Sequence, residues 1–441
     1  MRNNHDDEPR TGDRLPSSPI PHSALRIPHS KRPLDGLLVL DLTIFLSGPF
    51  ATQLLGGLGA RVVKVEQPGV GDPARVNPPY YGPRGLHSGR PAEGDLSLSL
   101  LKRNRNKESV TLNLKHEEGK AILRELAKRA DVLVENFAPG VMARLGLDEP
   151  ALRAVNPRLV YCSITGFGQD GPYRGVPAYD IVVQALSGLM TATGEPEQPP
   201  TRAGISAADL VAGLYATIAI LAALRQRDRD PEAAGQHLDV AMLDGLFSLV
   251  LDEALDVQVA RGQPPRTGNR RPRLTPFAVY EAADGFIAIC AVTDAQVAAL
   301  FRAMGRPDLA GDPRYATLEA RVERPGEVDA LVSAWTRTLP RAAIWRALEE
   351  AHVPAGPVAD IPELLADPQL RHRGMVVPLE HPGAGTVRGA VAAGLPLRFS
   401  RAGAALERPA PALGQHNAAV YGDLLGYTAA QLADLRARGV I

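Results

Sequence analysis

Residues 37–66 read LLVLDLTIFLSGPFATQLLGGLGARVVKVE. The apolar run Leu37–Leu42 is a strand with both faces buried. A Ser-Gly-Pro step at Ser47–Pro49 then opens a helix expected to reach about Leu58, with Ser47 placed to cap it and Pro49 suited to its first turn. Gly59 ends the helix, and Arg61–Glu66 is the next strand. Two apolar strands joined by one helix make a βαβ unit, whose parallel pair needs helices over the sheet. Glu66 stands near the place where a nucleotide-binding crossover carries its acid. No G-x-G-x-x-G accompanies it, so the dinucleotide signal is incomplete.

Working outward, the alternation continues. Ser109–Leu114 reads as a strand and Lys115–Ala130 as an amphipathic helix with Ile122, Leu123, Leu126 and Ala127 on one face. Val132–Glu135 and Leu159–Ile164 are further strands, separated by a short helix closing at Leu152–Asn156. This pattern predicts an α/β, Rossmann-like sheet of doubly wound type. Residues 68–103 read as a long Gly/Pro loop, a length that is usually functional or mobile. Asp180–Thr193, Ala207–Arg225 and Asp244–Ala260 are expected as apolar helices. The last is apolar on more than one face, which suggests burial between domains or subunits. Near Gly262 the texture turns basic. Phe277–Glu281 and Phe286–Cys290 then flank a hairpin turn. The division that follows is a disordered tail (1–33), a large domain (34–230), a linker helix (231–264), a small α+β domain (265–355) and a return to the large domain (356–441).

The chain has 441 residues, 45% hydrophobic and 22% charged, with 49 basic and 49 acidic side chains. Zero net charge argues against a general nucleic-acid binder. Two cysteines, Cys162 and Cys290, cannot form a disulfide framework and read as buried thiols in a reducing, cytoplasmic setting. No apolar run reaches the roughly 18 residues of a membrane span, since Leu210–Leu224 is interrupted by Gly213 and Thr217. The polar N-terminal segment has no apolar stretch of the kind a secretory signal carries.

Chemistry is expected in residues 131–200, where strands end in loops with polar residues. Lys115 at a helix start, Arg144 just beyond Gly140, and Arg105 with Lys107 before a strand are candidates for a phosphate-bearing ligand. The plain alternative is a set of solvated surface charges. Glu197, held among Gly and Pro, is a candidate nucleophile toward an activated acyl group. Its plain reading is an exposed loop acid. Asp180 begins a helix, where capping is the default role, and Asp209 sits in an apolar helix, where a buried acid needs a partner. The histidines, His87, His116 and His237 among them, do not cluster, and no metal site is expected.

Taken together, PLDGLLVLDLT (33–43), GARVVKVEQP (59–68), NKESVTLNLK (106–115), DVLVENFAPG (131–140), ITGFGQDGPY (164–173), LGQHN (413–417) and LRARGVI (435–441) resemble a known family. The chain is similar to the CaiB/BaiF-type, class III coenzyme A transferases, from about Leu34 onward. The resemblance implies a Rossmann-like large domain, a smaller α+β domain, and two subunits interlocked as a homodimer. It implies an acyl-CoA:carboxylate CoA-transferase that works through a covalent mixed anhydride, with CoA and acyl-CoA as substrates and no tightly bound cofactor. The family's nucleophilic carboxylate, sought in a TG-x-x-D loop, falls at Glu197. Contacts to CoA carry over to Leu46, Ser47, Gln67, Leu112, Lys115, Asn136, Phe137, Ala138, Arg144, Thr165 and Phe167. Gln67 and Thr165 stand where relatives carry cations, which leaves more of the phosphate binding to Lys115 and Arg144. An α-methylacyl-CoA racemase is the runner-up: Tyr179 replaces its base in Ala178-Tyr179-Asp180, while Asp209 matches its second acid. A non-catalytic acyl-CoA-binding subunit is the third reading. A glycine lid would fall at Thr267-Gly268-Asn269.

Overall fold

The computed structural model describes residues 32–271 and 273–441. The tail expected at 1–33 lies almost wholly outside them. The core is a sheet of six strands, β1 (Leu38–Asp41), β2 (Arg61–Glu66), β3 (Lys107–Thr111), β4 (Val132–Glu135), β5 (Val160–Thr165) and β6 (His237–Ala241). Their spatial order is β3-β2-β1-β4-β5-β6, and every pairing is parallel. The chain starts in the middle, builds to one edge, then returns past β1 and builds to the other. The order reverses between β1 and β4, which opens a crevice at the carboxyl ends of these strands, where such sheets take ligands.

Burial on both faces explains the continuous apolar strands. One face is covered by helix Glu117–Ala127 and the helices near the C-terminus, around Leu40, Leu112, Leu123, Leu126 and Tyr421. The other is covered by α1 (Ser47–Gly57) and α2 (Ala207–Arg229), around Val39, Leu55, Val62, Ala212 and Ile220. Ala208, Ala212, Ala216, Ile220 and Ala223 recur at helical spacing and form the buried stripe of α2. Gly213 lets α2 close on α1, because a Cβ there would lie 2.8 Å from the Ser47 carbonyl oxygen. With its length and hydropathy, α2 meets the measure of a membrane span, which the sequence reading did not anticipate. In this fold it packs between α1 and α3 (Met242–Asp252).

Several expectations need correction. The stretch 231–264 is not simply a linker helix: it opens with β6, so the sheet extends beyond residue 230. The sequence hid β6 because its alternating HLDVA carries a half-exposed edge pattern rather than an apolar run. Residues 68–103 are not a bare loop but hold a turn of 3₁₀ helix, three short strands and helix Leu98–Arg103. The helix expected at 180–193 breaks at Gly188, whose φ of 87° only glycine adopts easily. That at 244–260 breaks at Ala254. Cys162 is buried, but Cys290 is half-exposed.

The hairpin Phe277–Ala282 and Gly285–Cys290 is extended by Ala355–Pro357 into a three-stranded antiparallel sheet. Its helices bury a separate core around Ile287, Ile289, Phe301, Val332 and Leu348. The edge strand β3 is covered by residues 408–440. The amides of Asn106, Ser109, Thr111 and Asn113 donate to Arg408 O, His416 Nδ1, Asn417 Oδ1 and Val440 O. These bonds occupy donors that an open edge would present to other chains.

Candidate active site

A cleft of about 320 Å³ opens at the carboxyl ends of β1 to β4. Its walls are Leu42, Ile44, Val65, Leu112, Leu114, Phe137, Val141 and Leu145, and Gln67 and Lys115 also line it. Four of the expected contacts, Gln67, Leu112, Lys115 and Phe137, therefore meet there. Lys115 is exposed and precedes helix Glu117–Ala127 rather than starting it. Arg144 is exposed on the short helix that supplies Val141 and Leu145. Among the described residues neither cation has an ion-pair partner. An apolar slot with free cations beside it suits a ligand with an apolar body and a phosphate.

The loop after β1 is fixed from below. Lys64 donates to the Thr43 carbonyl at 2.7 Å and pairs with Asp72 at 2.9 Å, both side chains being buried. Asp72 in turn accepts the amides of Phe45 and Ala74. This holds Phe45 at φ 64°, an uncommon value for a bulky residue. Next to it, Lys107 pairs with Asp41 at 2.8 Å and donates to Asn104 and Pro49 O. Burial works against both charges. Burial alone would raise Asp41, but Lys107 and Lys64 hold it well below the ordinary carboxylate range. Burial brings Lys107 down to about 8. Lys107 and Arg105 are thus not phosphate ligands: the first is locked in the core, and the second donates to Ala393 O.

The other expected contacts are not among the residues that line this cleft. The Asn136 carboxamide clamps the Ile44 backbone, accepting its N–H at 2.8 Å and donating to its carbonyl at 2.9 Å. Leu46 sits at the N-cap of α1 without a side-chain cap. Ser47 does not cap the helix either: its hydroxyl accepts from Asn136 and lies beside Asp209. Ala138 is exposed in a turn. Thr165 accepts the Gly168 amide, and Phe167 packs edge-on to Tyr173; neither lines the cleft. Glu135, below Phe137, is buried and accepts its amide at 2.8 Å. Burial pushes its pKa up to about 7 despite the Ser163 hydroxyl.

The acids separate clearly. Glu197 lies exposed in a turn, and among the described residues no hydrogen bond or ion pair holds it. Its neighbour Glu195 instead accepts the Asn269 amide, and Gly194 O accepts that of Gly268. The segment expected as a lid is therefore docked on the loop expected to hold the nucleophile. Asp209, in the first turn of α2, is half-buried against the start of α1. The amide and the hydroxyl of Ser47 lie beside its carboxylate and favour the ionised form. Desolvation and the nearby Asp180 raise its pKa to about 6, while Ser47 and Arg103 oppose that rise. A carboxylate so placed stays ionised at neutral pH yet is less solvated than a surface acid. Arg103, whose Nη1 donates to Phe45 O at 3.4 Å, was passed over in the sequence for Arg105 and Lys107, because nothing in LKRNRNK marks which cation stays half-exposed.

A sequence profile described as CoA-transferase family III matches residues 34–417. The chain is 40% identical over 400 residues to a succinate–glutarate CoA-transferase of Agrobacterium fabrum, covering 90% of this chain and 97% of that one. It is 43% identical over 396 residues to an acetyl-CoA:oxalate CoA-transferase of Acetobacter aceti, covering 88% and 95%. Among solved structures, a CaiB/BaiF family protein from Brucella suis superposes with a TM-score of 0.76 at 37% identity, over 90% of this chain and all of that one. With this fold, this cleft and these likenesses, the chain belongs to CoA-transferase family III and is a CoA-transferase.

Proposed function

We propose that the enzyme moves CoA from an acyl-CoA to a carboxylic acid through covalent intermediates on Asp209, not Glu197. The observation that carries this is the Asp209 carboxylate, half-buried and aimed by Ser47 beside the crevice at the sheet's carboxyl ends. The cleft accepts the CoA body, and Lys115 and Arg144 meet its phosphates. Asp209 attacks the thioester carbonyl; the C–S bond breaks, giving an acyl-aspartyl anhydride and CoA thiolate. The thiolate then attacks the Asp209 carbonyl, releasing the first acid and leaving an aspartyl-CoA thioester. The second acid repeats these steps in reverse: its carboxylate displaces the thiolate to form a new anhydride, and the thiolate takes the new acyl group. Asp209 is regenerated and no net proton is consumed. The Ser47 amide, at the first turn of α1, favours the anionic form that must reappear each cycle. The racemase reading needs a base opposite an acid, and Tyr179, exposed beside Phe45, supplies none.

A homodimer is part of the same reading. Ile181, Leu186, Ile218, Phe247 and Val257 are each about half exposed or more, on helices that pack together. An apolar face of this kind calls for a covering partner, and a second copy is the partner proposed. The decisive test is mass spectrometry of peptides after turnover with acyl-CoA and hydroxylamine. A hydroxamate on Asp209 supports the proposal, and one on Glu197 refutes it.

A further inference from the structure

We infer that Arg103 reads the far carboxylate of a dicarboxylic substrate and so sets which acids exchange CoA. The inference rests on the Asp209 transferase reading. Arg103 is the last residue of helix Leu98–Arg103 and is half-buried. Its one hydrogen bond among the described residues is the long contact to Phe45 O, and it has no ion-pair partner there. A guanidinium has five N–H donors in a fork suited to a carboxylate. Nearby cations are already committed. Arg75 grips Glu66 with two nitrogens, Lys64 holds Asp72, and Lys107 holds Asp41.

Position supports the assignment. Arg103 donates to the carbonyl of Phe45, and Asp209 lies beside the amide of Ser47, only two residues on. The two charges thus lie near one short stretch of backbone, and each influences the other. Asp72, the other acid near Arg103, is occupied by Lys64 and by the amides of Phe45 and Ala74. An acyl group joined to Asp209 therefore extends beside a cation with unused donors. A second carboxylate at its far end satisfies them in bidentate fashion. A monocarboxylic chain of similar length leaves them unsatisfied.

The test compares glutarate with butyrate as acceptor, acetyl-CoA being the donor, in the full-length wild type and in Arg103→Met, Arg103→Lys and Asp209→Asn. Arg103→Met is expected to lower the ratio of kcat/KM for glutarate over butyrate by on the order of 10- to 100-fold. Arg103→Lys should keep part of that preference. The ratio is read within one preparation, so partial misfolding cancels. An unchanged ratio in Arg103→Met overturns the inference, whether both acids slow equally or neither slows. Asp209→Asn isolates the underlying reading. If it still exchanges CoA at the wild-type rate, the covalent proposal fails whatever Arg103 does. If it is inactive while the Arg103→Met ratio is unchanged, only the role of Arg103 is lost.

Discussion

Asp180 caps the helix that carries Asp209: its Oδ1 accepts the amide of Ala208 at 2.8 Å, and its Oδ2 accepts Gln184 Nε2 at 2.7 Å. Asp180 thus ties the start of α2 to its own helix, Asp180–Leu186, while Asp209 lies beside Ser47. The two acids share a neighbourhood but not a task. Asp209→Asn is expected to lower kcat by roughly 10³-fold or more, as loss of a nucleophile does. Asp180→Asn should act mainly on stability, by about 1 kcal/mol as for a lost cap. Glu197→Ala should retain nearly full exchange. A dead Glu197→Ala enzyme beside an active Asp209→Asn would restore the assignment made from sequence.

The pH profile should carry the signature of Asp209. Its folded pKa is raised to about 6, and only the ionised form attacks. The kcat/KM for acyl-CoA should therefore fall with an acid limb near pH 6. Ser47→Ala removes a hydroxyl that favours the ionised carboxylate and should move that limb upward. Movement downward, or none, would separate Ser47 from the reacting acid.

Lys115 and Arg144 should act on binding rather than chemistry. Replacing either by alanine is expected to raise KM for acyl-CoA by roughly 3- to 10-fold with kcat little changed, the pattern of an interaction made equally in ground and transition states. The effect should shrink at high salt, because both side chains are exposed. Steady-state kinetics at two ionic strengths checks this.

The Asp41–Lys107 pair should govern stability. Lys107→Met leaves the Asp41 charge deep between β1 and α1, with Lys64, the Thr43 amide and two hydroxyls near it. Breaking one side of a buried pair costs about 3–5 kcal/mol. Urea unfolding should show it. The double variant Asp41→Leu/Lys107→Met should recover much of the loss, and failure to do so would place the pair's role elsewhere.

Glu135 should make the fold less stable as pH rises. Its folded pKa is raised to about 7 from an ordinary 4.5. The folded state thus holds the proton more tightly, and its advantage is lost as pH climbs from 4.5 toward 7. The loss is roughly 3 kcal/mol and levels off above that range. Glu135→Gln keeps an acceptor for the Phe137 amide and cannot ionise. It should gain on the wild type between pH 5 and pH 8; a constant difference across that range would count against the assignment.

The sheet was readable because its strands are buried on both faces and so are written as short apolar runs such as LLVL (37–40) and VLV (132–134). Strand β6 was not, since alternation on a half-covered edge looks like linker. The cleft was readable where family motifs supply its lining, as at Gln67, Leu112, Lys115 and Phe137. On the proposed reading, the sequence could not choose among Glu197, Asp180 and Asp209, because it shows which carboxylates sit in loops, not which one a neighbouring helix start will face. Ser47 and Asp209 are 162 residues apart, and their meeting depends on the close crossing of α1 and α2 that Gly213 permits. Arg105 and Lys107 were taken as candidates for a phosphate because nothing local in the sequence marks their burial, the first against Ala393 O and the second against Asp41.

The cover over β3 bears on how the protein is made. His416 is 307 residues beyond the amide of Ser109 that it receives. A growing chain on the ribosome carries this strand bare until that segment emerges, while its sheet partners are already in place. The interval is the stage at which nascent molecules are most open to pairing with one another, and so the stage at which a chaperone would matter most. Chains released early, stopped near residue 405, should accordingly collect in the insoluble fraction, and a soluble product of that length would show that the strand needs no such protection.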